Sequence, residues 1–364
     1  MKIVHIINSL ESGGAEKLLL ETLPLYNKKG FQIDLLVLND VDCQFMRLLK
    51  ATKCCSIYSV GTHSVYNPIT VFKIMPFLKK YDIAHVHLFP TQYWVVLAKL
   101  FSLSKIKLVL TEHNTTNPRK ESFFLRRIDR FFYGFYENVV CISDEVLDIF
   151  QKYVHSKKSK FVLIENGINL NAIHEAKPYS IKEISNQWTT QDKLVIQVAR
   201  FGKEKDQQTV IKSLKYLPTT VKLILVGEGV LKKNCEKWVE ELQLEERVLF
   251  LGLRMDVPRL LKTADVIVLS SKYEGLSLSC LEGMASGKPF VASNVPGLSG
   301  IVKNAGVLFE QGDFKELALH INQLLNDSAY KQEIAANCQA KAAYYNIDAM
   351  VEKHLELYKK LFNK

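Results

Sequence analysis

The sequence predicts an α/β protein made of two doubly wound parallel-sheet units in tandem. Short β-rich apolar runs alternate with helix-period segments almost from the first residue, and this alternation breaks once before it resumes. The length of 364 residues also suits two cores, at roughly 150 residues per domain.

The first run, Lys2 to Asn8, is followed by Ser12-Gly13-Gly14 and an amphipathic stretch to about Lys29, a βα unit that opens on a glycine turn. Further strands are expected at Gln32 to Leu38, Ile83 to Leu88, Lys107 to His113, Asn138 to Ser143 and Phe161 to Ile164. Strands that alternate with helices form a parallel sheet covered on both faces. Asn166-Gly167-Ile168-Asn169 breaks the pattern, and Lys177-Pro178 with the polar run Ser185 to Asp192 reads as an exposed linker. A second series takes in Leu194 to Ala199, Lys222 to Val226, Val248 to Leu251, Val266 to Leu269 and Phe290 to Ser293, ending near Phe309. The expected division is a domain at 1–178, a second at 179–345, and a last helix at about 346–364 that packs back on the first. Two such units imply a cleft between them.

Apolar content of 48% and charged content of 24% argue against a disordered chain. The best membrane-span candidate, Tyr93 to Leu110, carries Lys99, Lys105 and Lys107, too many charges to cross a bilayer. Seven cysteines show neither C-x-x-C nor zinc spacing, Cys54 and Cys55 are adjacent, and no signal peptide precedes Lys2. Reduced thiols in a cytoplasmic protein are therefore expected. About +7 of the net charge of +10 lies before Pro178. Such a surface attracts nucleic acid, anionic lipid or a phosphorylated substrate, and charge alone does not choose among them.

The most informative stretch is Tyr273 to Pro289, YEGLSLSCLEGMASGKP. It leaves the apolar run Val266 to Leu269 and enters a helical pattern, so it is a strand, a turn and a helix start. At that junction the unpaired N–H groups of the first helical turn make an anion site. Gly275 and Ser277 let a ligand approach the backbone closely, and Glu282 falls one turn inside. On spacing alone a plainer reading stays open, with Ser279 and Glu282 as a capping box and Glu274 as a solvated loop acid. The stretch closely resembles the E-x7-E signature of glycosyltransferase family 4, the retaining enzymes with a GT-B fold that use nucleotide-sugar donors. Glu274-Gly275-Leu276, Leu281 to Ala285 and Gly287 to Ser293 follow the family pattern in order.

Other motifs divide in the same way. Arg200 ends a buried strand and Lys205 lies past a glycine turn, where two cations suit a diphosphate, though solvated surface charge is the ordinary alternative. Gly227 and Gly252 end strands and serve equally as turn glycines. Gly13 and Gly14 suit either a tight turn or close approach of a phosphate or sugar. His113 at a strand end is either structural or, if exposed, a group that titrates near neutral pH. Arg119 to Tyr136 sets Arg126, Arg127 and Arg130 on one side and aromatics on another, which suits anionic headgroups or an ordinary basic core helix. Gly283 to Lys288 is one residue short of a Walker A loop. Asp40-Val41-Asp42 lies far from the donor motifs, so no metal ligands are expected.

The resemblance implies a GT-B fold and metal-independent transfer of a sugar, with the UDP-sugar as donor, to a hydroxyl of a glycan or lipid-linked acceptor. An α-glycosidic bond results, in bacterial surface polysaccharide or glycolipid synthesis. It implies that Arg200, Lys205 and the Ser277, Leu278 and Ser279 amides hold the diphosphate, that Glu282 binds ribose, and that Glu274 binds the sugar. Gly275, Leu276 and Gly227 would line the donor site and Arg254 would lie near the base, while His113 would approach the donor sugar as a catalytic group with Glu274, Arg200 and Lys205, and Gly13 and Gly14 would serve the cleft on its acceptor side. The expected partners are the donor and the acceptor, with no nucleic acid and no cofactor, and the basic, aromatic Arg119 to Tyr136 segment adds the option of an anionic membrane surface at the inner face of the cytoplasmic membrane. A sugar-nucleotide epimerase or a non-catalytic sugar-nucleotide sensor would share these motifs. One departure is visible: many family members carry a glutamate before an Ile-Val pair after Pro296-Gly297, where this chain has Gly300.

Overall fold

The structure is a computed structural model that describes residues 1–11, 13–113, 122–154 and 158–364. Ser12, the 114–116 sequon and Arg119 to Glu121 lie outside the described residues. The chain forms two compact units, Met1–Gly167 with Ile347–Lys364, and Ile168–Asn346.

In the first unit strands and helices alternate as β1 (Lys2–Ile7), α1 (Gly14–Lys28), β2 (Gln32–Val37), α2 (Gln44–Thr52), β3 (Ile57–Ser59), α3 (Thr70–Leu78), β4 (Ile83–His87), α4 (Thr91–Ser102), β5 (Lys107–Glu112), α5 (Phe123–Gly134), β6 (Asn138–Cys141), α6 (Asp144–Val154) and β7 (Phe161–Leu163). The second unit contains α7 (Leu170–Glu175), α8 (Ile181–Ile184), β8 (Lys193–Val198), α9 (Gln207–Ser213), β9 (Val221–Val226), α10 (Lys232–Glu241), β10 (Val248–Gly252), α11 (Val257–Thr263), β11 (Val266–Leu269), α12 (Leu278–Ala285), β12 (Phe290–Ser293), α13 (Ser299–Val302), β13 (Val307–Phe309), α14 (Phe314–Asn326) and α15 (Ser328–Ala342). The last helix, α16 (Ile347–Phe362), returns to the first unit.

Among the described residues the sheets run β3-β2-β1-β4-β5-β6-β7 and β10-β9-β8-β11-β12-β13, with parallel pairing throughout. Central strands such as Ile3 to Ile7 and Val266 to Leu269 are buried along their whole length. That is why they read as unbroken apolar runs rather than alternating ones. Strand β3 was not expected. It is a three-residue edge strand with Tyr58 and Ser59 exposed, too short and too wet to leave a hydrophobic signal.

The unit boundary falls at Gly167/Ile168, ahead of the Lys177-Pro178 stretch. Ile168 donates its N–H to the Tyr345 carbonyl (2.9 Å) and bridges Asn346, while α7 packs on α11 and α12. The polar run before β8 is not a free linker. Trp188 is 3% exposed and its Nε1–H donates to the Glu246 carbonyl at 3.2 Å, so this segment is part of the second core. Helix α16 packs on α1, and Lys29 holds Glu352 at 2.5 Å across that contact.

Helix α16 also closes a polar cluster within the first unit. His5 on β1, His85 and His87 on β4, His113 just past β5, and His354 and Tyr358 on α16 lie ring against ring. Burial lowers proton affinity at all five, to about 3 at His5, about 4 at His113 and His354, and well down at His85 and His87; neighbouring imidazoles lower it further at all but His354, where the Met350 carbonyl opposes the shift. The condition for near-neutral titration of His113, an exposed ring, is not met. Its ring is only partly exposed and stays neutral.

Folded pKa values below the unfolded one near 6.5 mean that the unfolded chain binds more protons in acid. Stability is therefore full above about pH 6.5 and falls as pH drops toward the folded values, by up to ~1.4 kcal/mol per pH unit for each such histidine. The thermal midpoint should be flat above pH 7 and decline steeply between pH 6.5 and 5, before most carboxylates titrate. A flat profile down to pH 5 would contradict the neutral cluster.

Candidate active site

The second sheet reverses its winding between β8 and β11, the two adjacent strands from which the chain departs in opposite directions. In open α/β sheets ligands bind at the carboxyl ends of the strands at such a switch point. Both strands end in the residues that the sequence singles out. Strand β8 runs into Ala199, Arg200 and the loop to α9, and β11 runs into Ser270, Ser271 and the turn that starts α12.

The β8–α9 loop is held by three side chains. Gln197 donates to the Lys205 carbonyl (3.0 Å), Ser270 to the Asp206 carbonyl (2.8 Å) and Gln207 to the Arg200 carbonyl (3.0 Å). Lys272 N–H adds a bond to the Glu204 carbonyl at 2.8 Å, which ties this loop to the turn after β11. Lys205 Nζ thereby reaches Glu274 Oε1 at 2.5 Å, and Ser271 Oγ donates to the same oxygen at 2.6 Å. Glu274 is only 8% exposed, so it is not a solvated loop acid.

Arg200 is exposed and donates through Nη2 to Glu204 Oε1 at 2.6 Å. Burial alone would raise the Glu204 carboxyl, but the hydrogen bond from Arg200 holds it below the usual carboxylate range. Each expected diphosphate cation thus has a glutamate at hand, and the two sit in one loop without touching the same acid.

Helix α12 is capped by Ser277, whose Oγ accepts the Cys280 N–H at 3.4 Å; Ser279 lies inside the helix. The Ser279–Glu282 capping-box alternative is thereby replaced, and the Leu278 and Ser279 amides stand at the helix start. Leu276, Leu278 and Glu282 are buried, the last at 5% exposure, while Gly275 and Ser279 are partly exposed. A Cβ at Gly283 would meet Phe290 at 2.5 Å and Ile267 at 3.1 Å, so this glycine seats the helix close on β11 and β12. Burial, then the Glu274 charge, pushes the Cys280 thiol well up, so it is no thiolate nucleophile.

Gly227 is a packing requirement rather than a simple turn residue. Its φ is +139°, and a Cβ there would lie 2.2 Å from the Ala199 carbonyl oxygen beside Arg200. Arg254 donates to both Asp256 carboxylate oxygens (2.8 and 2.5 Å), and Tyr179 bonds the same group. The Arg254 hydrogen bonds bring the Asp256 pKa down to about 2.

Sequence reasoning missed Ser271, Glu204 and Gly297. A strand-end serine and one glutamate in a charged loop carry no distinguishing signal. Gly297 does, as part of a Pro-Gly pair: at φ +81° its Cα faces the Glu274 carbonyl oxygen, 2.2 Å from where a Cβ would stand. The Pro296 carbonyl accepts the Glu274 N–H at 3.1 Å, so this loop braces the acid's backbone. Gly300 faces open space, with nothing within 4 Å of a Cβ.

In the first unit Gly13 is the N-cap of α1, and Glu16 folds back to within 2.2 Å of where its Cβ would be. Gly14 meets open space. A carboxylate rather than a vacancy for phosphate therefore sits beside Gly13. Asp42 is bound by Arg47 at 2.6 Å and Asp40 lies 3.7 Å from Lys50, so the D-x-D pair faces cations. The α5 pattern also differs from expectation. Phe123, Phe124 and Phe131 share the exposed face with Arg127, whereas Arg130 bonds the Tyr153 carbonyl and Arg126 lies over the Tyr153 ring. The buried side of α5 is instead built on Asp129, which accepts from Tyr93 and Tyr153.

Comparison with known proteins agrees with this arrangement. The family model for glycosyl transferases group 1 matches residues 180–342, and that for glycosyltransferase family 4 matches residues 12–172. The chain is 26% identical to an Escherichia coli UDP-Gal:α-D-GlcNAc-diphosphoundecaprenol α-1,3-galactosyltransferase, over 98% of this chain and 96% of that one. It is 28% identical to a Campylobacter jejuni N-acetylgalactosamine-N,N'-diacetylbacillosaminyl-diphospho-undecaprenol 4-α-N-acetylgalactosaminyltransferase, with 78% of each chain covered. Among solved structures, Anabaena HepE in complex with UDP and glucose superposes with a TM-score of 0.86 at 23% identity, covering 99% of this chain and all of that one. Two parallel-sheet units with GT-B neighbours, a switch point that carries the E-x7-E acids, and both family matches together make this chain a glycosyltransferase of group 1, family 4.

Proposed function

We propose that the enzyme moves a sugar from a UDP-sugar to a hydroxyl of a glycan or lipid-linked acceptor, with retention and without a metal. The α-glycosidic bond it forms would belong to bacterial surface polysaccharide or glycolipid. The observation that carries this reading is Glu274, a buried carboxylate gripped by Lys205 and Ser271 at the sheet's switch point. Support for the substrates comes from the names of similar proteins, a UDP-Gal-dependent diphosphoundecaprenol galactosyltransferase and HepE solved with UDP-glucose.

In this reading the acceptor hydroxyl oxygen bonds to the anomeric carbon on the face from which the diphosphate leaves. The carbon–oxygen bond to phosphate breaks, its electron pair stays on the diphosphate, and the acceptor's proton passes to a β-phosphate oxygen. Charge develops on that leaving group, where Arg200, Lys205 and the Leu278 and Ser279 amides contribute most. Glu282 takes the ribose hydroxyls, Glu274 the sugar hydroxyls, and Arg254, oriented by Asp256, lies toward the base. His113 approaches the donor sugar as a catalytic group, and Gly13 and Gly14 serve the acceptor side. The exposed aromatic face of α5 with Arg127 suits a peripheral position on an anionic membrane. Among the described residues no helix is long and apolar enough to cross a membrane.

Glu274→Gln keeps the side-chain shape and loses charge-assisted bonds. Turnover should fall at least ~10-fold while affinity for UDP stays within about twofold, because bonds that strengthen in the transition state act on rate. A product whose NMR coupling constants report a β-linkage would reject the retaining mechanism. Arg200→Ala should weaken UDP binding by roughly tenfold or more and leave uridine binding unchanged, and equal UDP affinity of mutant and wild type would remove Arg200 from the diphosphate site. On vesicles, sedimentation at low salt should favour anionic over neutral lipid and weaken as salt rises, each nearby basic residue contributing about 1 kcal/mol. Equal binding to both lipids would leave the enzyme with a non-membrane acceptor.

A further inference from the structure

The histidine cluster of the first unit is a single chain of hydrogen bonds. Its links run Thr111 Oγ1 to His85 Nε2 (2.6 Å), His85 Nδ1 to the Tyr358 hydroxyl (2.5 Å), and that hydroxyl to His5 Nε2 (3.3 Å). They continue from His5 Nδ1 to His87 Nε2 (2.9 Å) and from His87 Nδ1 to His113 Nε2 (3.1 Å). Ligand nitrogens of His5, His85 and His87 lie within 4.8 Å of one another, a spacing that would also suit a cation. Both ring nitrogens of all three already have partners, so an ion would have to break the chain that it entered.

A neutral imidazole donates from one nitrogen and accepts at the other. His87 uses both nitrogens as links, so a proton on His113 Nε2 requires a bare His5 Nδ1, and the reverse. His5 passes the same constraint to Tyr358. The position of the proton on His113 is therefore set by whether the Tyr358 hydroxyl donates to His5 or accepts from it.

Tyr358 has one proton to give. A phenol hydroxyl is the stronger donor and an imidazole nitrogen the stronger acceptor, so that proton belongs to the shorter contact, with His85 Nδ1. His5 then donates from Nε2 to Tyr358, His87 from Nε2 to His5, and His113 from Nε2 to His87. Tyr26, whose ring lies 6.3 Å from that of Tyr358, does not alter this result, because a Tyr358 proton turned toward Tyr26 still leaves His5 the donor. His354 stands outside the chain, paired through Nδ1 with the Met350 carbonyl at 3.1 Å.

We infer that this relay locks His113 as its Nε2–H tautomer and presents its bare Nδ1 at the end of β5 as an acceptor for a hydroxyl, with Tyr358, His5 and His87 as positioning residues. The inference rests on the transferase reading for the identity of that hydroxyl, on the sugar or the acceptor. It does not rest on that reading for the tautomer.

The test is long-range proton–nitrogen correlation NMR on the full chain with 15N-labelled histidine at pH 7.5, the His113 signals being assigned by their loss in His113→Gln. The wild type should show one His113 tautomer, protonated at Nε2. Tyr358→Phe keeps the ring and removes the hydroxyl, and should convert that signal to a mixture or to the Nδ1–H form. Release of UDP from UDP-glucose should then fall in kcat by roughly tenfold, the loss of one hydrogen bond, with KM little changed. A wild-type Nδ1–H tautomer, nitrogen shifts of a metal-bound ring, or an unchanged tautomer in Tyr358→Phe would each overturn the relay. A shifted tautomer with unchanged turnover would uphold the relay and remove His113 from the transfer reaction. Should Tyr358→Phe fail to fold, His5→Gln breaks the same chain one link nearer His113 and carries the same expectation.

Discussion

The site in the second unit depends on one ion pair, the buried Glu274 with the half-buried Lys205. A carboxylate removed from water recovers its hydration only if the contact to its cation is close and its remaining lone pairs are bonded. Here the contact is 2.5 Å and Ser271 takes part in it. That requirement explains much of the surrounding backbone. The β8–α9 loop is held by Gln197, Ser270 and Gln207 so that Lys205 arrives at the right place, and Gly297 lets the Pro296 loop close on the Glu274 carbonyl. A carboxylate and an ammonium fixed in this way are oriented before any ligand arrives, which spares reorganisation at the moment of reaction.

The first unit solves a different problem with neutral groups. Its polar cluster lies between β1, β4, the end of β5 and α16, and among the described residues no carboxylate is paired with it. Five imidazoles can share that space only without charge, and burial keeps them so. Each then has one donor and one acceptor, so satisfaction of one ring dictates the next. The chain of bonds follows from that arithmetic and from the closure of α16, which supplies Tyr358.

Much of this was legible in the residues. The alternation of apolar runs and helical segments marks eleven of the thirteen strands among the described residues to within a residue or two, and β13 only by its end near Phe309, because strands buried on both faces leave unbroken apolar runs. Strand β3 was not legible, since an exposed edge strand has no such run. The glutamates, the glycine turns and the strand-end cations stood out because each breaks a local expectation. Ser271, Glu204 and Trp188 did not, because a serine, an acid in a charged loop and an aromatic in a polar run are ordinary until their partners are known.

By itself, then, the sequence determined the element order, the parallel sheets and the family, all set by local periodicity and by motifs contiguous in the chain. Only the tertiary structure decided which charges meet, where the first unit ends and what the histidines do. Lys205 and Glu274 are far apart in sequence, as are His5 and Tyr358, and no local pattern records a contact between residues that different strands and helices bring together. The proton affinity of His113 is decided at that level too, since desolvation is a property of the packed neighbourhood rather than of the residue.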